Sequence, residues 1–447
     1  MENDTIFALS SGAGKAGVAV FRISGPGASG TLELFSGKKL PAREVSFSRL
    51  TDPKSTKLID SGIVFWFAGP ASFTGEDMAE MQVHGSRAVI DEMMRALSGS
   101  GLRPAEPGEF TMRAFRNGKI DLAQSEALAD LIDAETIHQK QQALQQVDGR
   151  LSALAMNWYQ QLLGCLAPLE AGIDFPDEED VPVDIENTAV PVIRKFIQEL
   201  SFYLEEGKKA RRVREGVSVV LIGAPNAGKS SLLNYLAGSE VAIVSDIPGT
   251  TRDLIEVRLD IKGVPVSMVD TAGLRSQSAD RIEEEGMRRA RQRAANADLR
   301  ICLIDGSVEN QLRLSILRDL GPGDVVLITK ADLASASDIG CNIEHHKHFA
   351  ISTKTGDGVK PFILHLEAVI AELCGSIEEP RLTRARHIHA VQEARQSLQR
   401  SLNYVVEQPE LAAEDVRLAM RHLGSITGMV DVEDVLGEIF SSFCIGK

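Results

Sequence analysis

Two textures of hydrophobic patterning alternate along the chain. Between about residues 216 and 375, short apolar runs of strand length (VSVVLIG, DLIEVRLDI, VPVSMVD, RICLID, DVVLIT, HFAIS) alternate with helical segments, the first at 231–236. That order predicts an open parallel sheet flanked by helices. On either side the apolar positions recur at helical spacing. Residues 119–148 contain neither Gly nor Pro, and Leu122, Leu128, Leu131 and Ile132 predict one long helix there. Further helices are expected at 151–169 and 188–214, separated by the acidic turn DFPDEED, and again after Pro380. The first 118 residues mix β-like runs (GVAVFRISG, SGIVFWFAG) with Gly- and Pro-rich loops and a helical stretch at 88–97, which reads as a small α+β domain.

The predicted fold class is therefore multidomain, α+β and α/β. An N-terminal α+β domain (1–118) precedes a helical domain whose halves (119–215 and 376–447) are split by an inserted α/β domain (216–375), to which its sequence motifs, not the periodicity, give a Ras-like P-loop character. A chain of 447 residues is long enough for several such cores.

Composition narrows the classes. Hydrophobic residues make up 43 % and charged residues 25 %, and no apolar run approaches the roughly 18 residues of a membrane span. Glu2 and Asp4 stand where an export or mitochondrial presequence carries basic residues. Five scattered cysteines without CxxC spacing point to reduced thiols and a cytoplasmic protein. A net charge of −15 argues against nonspecific coating of nucleic acid or membrane, though not against a local basic patch. The runs KKARRVR (208–214) and RLTRAR (381–386) flank the inserted domain, where they either merge into a patch facing nucleic acid or form solvated helix faces.

The chemistry concentrates in the inserted domain. GAPNAGKS at 223–230 matches G-x-x-x-x-G-K-[ST] between a β run and a helix. Gly223 and Gly228 let backbone N–H groups face phosphate; Asn226, Ala227 and Ser231 complete the loop; Lys229 reaches the terminal phosphates; Ser230 can ligate magnesium. DTAG (Asp270, Thr271, Ala272, Gly273) closes a later β run, so Asp270 can support magnesium and the Gly273 N–H can meet the γ-phosphate. Between them lies SDIPGTTRD, with Ser245, Asp246, Ile247, Pro248, Gly249 and Thr250 leading to Thr251, the expected switch ligand of magnesium. TKAD (Thr329, Lys330, Ala331, Asp332) places a carboxylate for the guanine edge, which selects GTP over ATP. It departs from the usual Asn-Lys-x-Asp by its Thr. Ser352, Thr353 and Lys354 fit the last base-side loop. Leu274 follows DTAG where Ras-like enzymes carry a water-orienting Gln, and leucine cannot orient water.

Other patterns are set aside. Gly12, Gly14 and Gly17 spell GxGxxG, with Glu33 downstream, but the residues that follow read as strand where a dinucleotide fold needs a helix. Cys341, His345, His346 and His348 lack paired metal-ligand spacing. CIGK at 444–447 has the spacing but not the residues of a prenylation box.

SFTGEDMAEMQVHG (72–85), EPGEFTMRAFRNGKIDLAQSEALADLI (106–132), GTTRD (249–253) and FCIGK (443–447), together with the nucleotide motifs, resemble the MnmE (TrmE) family of tRNA-modification GTPases over essentially the whole chain. The resemblance implies a homodimer formed by an N-terminal tetrahydrofolate-binding domain, and a heterotetramer with a FAD-dependent partner, MnmG. It implies addition of a carboxymethylaminomethyl-type group to carbon five of the wobble uridine of certain tRNAs. It also implies a catalytic glutamate, Glu283 by anchoring on Gly286 or else Glu284, acting beside Lys229. Potassium would be held by Asn226, Ser245, Ile247 and Thr250 in place of an arginine finger, for which Arg252 could be mistaken. Folate in a formyl or methylene form would meet Arg22, Glu80, Lys119 and Lys447, with Cys444 as a candidate thiol. A GTP-switch factor for RNA or ribosome assembly is the competing expectation, and a P-loop ATPase a third.

Overall fold

The computed structural model describes residues 4–12, 14–174, 185–239, 241–243, 256–270, 297–307, 320–321, 323–333, 346–376, 381–405, 407–430, 433–441 and 443–446. The chain divides into two compact units. One holds Met1–Ala129, Gln146–Pro191 and Gln396–Lys447; the other holds Asp130–Gln145 and Val192–Arg395.

In the first unit β1 (Ile6–Leu9), β2 (Ala16–Ser24), α1 (Ala28–Ser36), β3 (Ser46–Thr51), β4 (Leu58–Phe67), β5 (Met78–Gly85), α2 (Arg87–Gly99) and β6 (Arg103–Pro104) follow in order. Their sheet runs β3-β4-β5-β2-β1-β6, antiparallel except for the parallel β1–β6 pair. Alternation along the strands sorts the faces. Phe7, Phe21, Ile23 and Met81 form a core with Leu32, Phe35 and Leu97 of α1 and α2. Ile6, Ala8 and Met78 pack on the opposite face with Phe110 of α3 (Glu109–Arg116). The residues after Gly12, Gly14 and Gly17 are strand β2, so that GxGxxG opens no helix.

The long helix expected over 119–148 is instead two, α4 (Leu122–Ile132) and α5 (Ile137–Val147). A reciprocal cap breaks it. The Gln139 side chain accepts from the Thr136 N–H while Thr136 Oγ1 accepts from the Gln139 N–H, at 3.1 and 3.4 Å. The T-x-x-Q spacing is a helix-start signal that outweighs the absence of Gly and Pro. Helices α6 (Arg150–Asp174) and α7 (Ile185–Glu215) follow.

In the second unit β7 (Val217–Gly223), α8 (Lys229–Ala237), β8 (Glu256–Ile261), β9 (Val264–Asp270), β10 (Leu299–Asp305), β11 (Val325–Thr329) and β12 (Lys347–Ala350) build a sheet ordered β12-β11-β10-β7-β9-β8. It is parallel except for the antiparallel β8–β9 pair. Its central strands are apolar on both faces, as a doubly covered parallel sheet requires. Helices α9 (Val359–Cys374), α10 (Ala385–Tyr404), α11 (Pro409–Gly424) and α12 (Glu433–Ser441) complete the chain. The two halves of the helical region meet in the first unit, where Arg417 of α11 pairs with Glu170 of α6 at 2.7 Å.

The basic runs beside the inserted domain do not form a free patch. Arg214 donates to the Thr383 carbonyl, so the two runs are adjacent, but their charges are matched. Arg212 pairs with Asp298, Arg381 with Glu206, and Arg384 with Asp130, all within 2.7 Å.

Candidate functional site

The phosphate loop grows out of β7. Gly223 has φ +153, and a Cβ there would lie 2.4 Å from the Leu303 carbonyl oxygen, so the strand ends where only glycine fits. Asn226 and Gly228 turn left-handed, with φ +63 and +90. Gly228 is then the N-cap of α8 and supplies no capping side chain, which leaves first-turn N–H groups to face an anion. Lys229 is 4 % exposed and its ammonium donates to the Gly223 and Ala224 carbonyls, each at 3.0 Å, across the mouth of the loop. Ser230 Oγ lies 3.0 Å from Asp270 Oδ2 at the end of β9. Hydroxyl and carboxylate are hard oxygen donors and fit magnesium.

The base-side loops are tied to this frame. Thr329 Oγ1 donates toward the Ala227 and Ile304 carbonyls, Lys330 Nζ pairs with Asp305, and the Ala331 N–H donates to the Ile351 carbonyl. Ser352 is buried and its Oγ accepts from the Thr355 N–H, closing the loop that carries Thr353 and Lys354. Asp332 is exposed beside them.

A second constellation lies on the first unit's sheet. Arg22 and Glu80 are cross-strand partners on β2 and β5, with Nε 3.1 Å from Oε1. The Arg22 guanidinium lies 6.0 Å from the centroids of Phe73 and Phe110. Lys119 donates to the Pro70 carbonyl at the start of the same 69–77 segment that carries Phe73. Residues 444–446 dock on the same unit: Ile445 forms a bridge with Pro107, Ser10 Oγ donates to the Gly446 carbonyl, and Cys444 is exposed. Glycine is required for this approach. A Cβ on Gly108, at φ +67, would lie 2.6 Å from the Phe440 carbonyl oxygen.

The family model described as MnmE helical domain matches residues 122–444, and that described as GTP-binding protein TrmE N-terminus matches residues 5–119. The chain belongs to the MnmE family. The tRNA modification GTPase MnmE of Maricaulis maris is 47 % identical over 445 residues, spanning 100 % of both chains. That of Granulibacter bethesdensis is 48 % identical over 450 residues, again spanning both, and that of Rickettsia rickettsii (strain Sheila Smith) 43 % over 447 residues, covering 99 % of this chain and 100 % of its own. As an MnmE-family protein with this P-loop sheet, the chain is a GTP hydrolase.

Several expected site residues of this MnmE-family chain lie outside the described residues: Ser245 through Thr251, Arg252, Thr271 to Gly273, Glu283, Glu284, Cys341, His345 and Lys447. Sequence reasoning missed a charge network in the first unit, in which Glu109 and Arg113 are largely buried and Asp4 and Arg103 partly exposed. Arg113 joins Asp4, Glu76 and Glu109, and Arg103 joins Asp4 and Glu109, at 2.6–3.0 Å. Glu76 in turn accepts from Ser24 Oγ, which contacts Thr74 Oγ1 at 2.7 Å. Burial works to raise the Glu109 carboxyl, yet Arg103, the Glu106 N–H and Arg113 hold it below its ordinary range. Asp4 is likewise lowered, burial being outweighed by Arg103 and Arg113. The one local signal was the Glu109–Arg113 spacing of four on a helix.

Proposed function

We propose that this chain is the GTP-hydrolysing subunit of a cytoplasmic enzyme that, with the FAD-dependent partner MnmG, adds a carboxymethylaminomethyl-type group to carbon five of the wobble uridine of certain tRNAs. Domain bounds near 118, 215 and 375 belong to this reading. The observation that carries it is the Arg22–Glu80 pair on a sheet whose unit also docks the Cys444–Gly446 tail on Pro107 and Ser10, in a chain whose other unit holds the P-loop.

In the nucleotide site Lys229 exchanges its loop carbonyls for phosphate oxygens, and the α8 N-terminus holds the phosphates in place. Asp332 accepts the guanine N–H donors. Ser230 and Thr251, with Asp270 behind, would hold magnesium, which would offset phosphate charge, and Asn226, Ser245, Ile247 and Thr250 would hold potassium, which would supply positive charge to the separating γ-phosphoryl. Asn226 suits that role because its left-handed backbone sets an exposed carboxamide at the loop's turn. Glu283, or Glu284 in the alternative register, orients the attacking water.

On the sheet, Glu80 suits the donor edge of a pterin, while Arg22, Lys119 and Lys447 suit carboxylates. A tetrahydrofolate in formyl or methylene form supplies the one-carbon unit when bound. Homodimerisation through this domain is supported by the cross-strand neighbours Phe47 and Ile63, exposed by 70 % and 40 % on edge strand β3 and its neighbour β4.

Nucleoside analysis of tRNA from cells lacking the protein tests the reading. The wobble-uridine modification should vanish and return with the wild-type chain but not with Lys229→Ala. An unchanged modification, with ribosome or RNA assembly defects instead, would identify a GTP switch factor.

A further inference from the structure

The side chain at the end of β11 is where this chain departs from the common base-recognition motif. Thr329 is 3 % exposed, and its Oγ1 lies 2.7 Å from the Ala227 carbonyl oxygen and 3.2 Å from that of Ile304. Both neighbours accept, so the single hydroxyl hydrogen is committed inside the protein. Guanine offers two kinds of edge. Its N1–H and 2-amino group donate and suit a carboxylate such as Asp332, whereas N7 and O6 accept and need a donor. Thr329 has no second hydrogen to give.

What the hydroxyl does reach is the phosphate loop. Ala227 directly precedes Gly228, and a Cβ placed on Gly228 would lie 3.4 Å from Thr329 Cβ, so strand end and loop are in close contact. From Thr329 the chain turns left-handed at Lys330, φ +55, and runs on to Asp332. A fixed strand end thus sets the distance between the phosphate cradle and the base-reading carboxylate.

We propose that Thr329 is a positioning residue that fastens the base-side loop to the phosphate loop and leaves guanine N7 without a side-chain donor from this strand, so that base selection rests on Asp332. The proposal depends on the reading of residues 223–230 as the GTP site.

Competition of GTP, ITP and 7-deaza-GTP against a fluorescent GTP analogue, on the full chain with magnesium and potassium, tests it. ITP lacks the 2-amino group and 7-deaza-GTP lacks N7. The wild type should bind 7-deaza-GTP within about twofold of GTP, and ITP clearly more weakly. Thr329→Val should weaken all three nucleotides by one common factor of about three- to tenfold, the size of one lost hydrogen bond, and Thr329→Ser should restore them. Thr329→Asn, which adds N–H donors, should tighten GTP but not 7-deaza-GTP. A roughly tenfold penalty for 7-deaza-GTP in the wild type would make the strand end a base contact and overturn the proposal. Unchanged GTP affinity in a folded Thr329→Val protein would overturn it equally. Circular dichroism melting identifies a variant that fails to fold; the ratio of GTP to 7-deaza-GTP affinity in the wild type, Thr329→Ser and Thr329→Asn then decides. A folded wild type that binds no GTP would refute the GTP site itself rather than the role of Thr329.

Discussion

Local sequence already places Lys229 and Ser230, whereas Asp270 meets Ser230 only through the pairing of β7 with β9. The P-loop residues are contiguous, and a strand, a left-handed turn and a helix N-terminus follow from their types alone. Two predictions belong at this scale. Glu283→Ala should keep GTP binding and lose about 100-fold or more in turnover, measured by phosphate release against nucleotide titration. Near-normal turnover would move water activation to Glu284 or elsewhere. Asn226→Ala should abolish the difference between potassium and sodium in hydrolysis rate; equal rates with both ions in the wild type would remove the cation site. Arg22 and Glu80 are 58 positions apart, and no sequence spacing pairs them. Only the β2–β5 register sets them side by side.

At the scale of elements, strand and helix periodicity located β2, β4, α2 and the strands of the second sheet, because burial imposes periods of 2 and 3.6 on the residues themselves. The same reasoning failed at 133–136, where a cap built from two polar side chains outweighs an unbroken helical pattern. Glycines with left-handed backbone form a second class of local determinant that becomes interpretable only with neighbours present. Gly358 N-caps α9 at φ +71, and a Cβ there would lie 1.9 Å from the Ala350 carbonyl oxygen at the end of β12. Gly358→Ala should therefore destabilise the second unit by about 2 kcal/mol or more and weaken GTP binding by displacing the Ser352–Lys354 loop. A melting temperature and GTP affinity equal to wild type would show that the loop tolerates the shift. Gly263 is comparable: at φ +85 it sits in the β8–β9 turn, with the His138 ring 2.9 Å from its absent Cβ.

For the molecule as a whole, the charge network of Asp4, Glu76, Arg103, Glu109 and Arg113 ties the start of the chain to α3 and to the 69–77 segment. Asp4 and Glu109 have folded-state pKa values below their ordinary ones. Such groups add stability that is fully present above the unfolded pKa and is lost as pH falls through the folded one. The first unit should thus lose stability as pH drops through the ordinary carboxylate range and below it. Arg113→Met should cost about 3 kcal/mol near neutrality and make that acid limb shallower, in melts recorded across pH. If the proposed dimer forms through β3 and β4, Phe47→Asp should shift the protein from dimer toward monomer in light scattering, with its fold retained. An unchanged mass would count against that proposed contact.

By itself the sequence determined the phosphate loop, most of the repeating elements and the family, because each depends on residues near one another or on motifs long enough to be specific. Tertiary structure decided the rest. The matching of the flanking arginines by Asp130, Glu206 and Asp298, the docking of Ile445 on Pro107, and the tether from Thr329 to Ala227 join residues up to hundreds of positions apart. Whether a charge is free or paired, and whether a hydroxyl faces a ligand or a carbonyl, depends on distances of a few ångströms that only the closed chain sets.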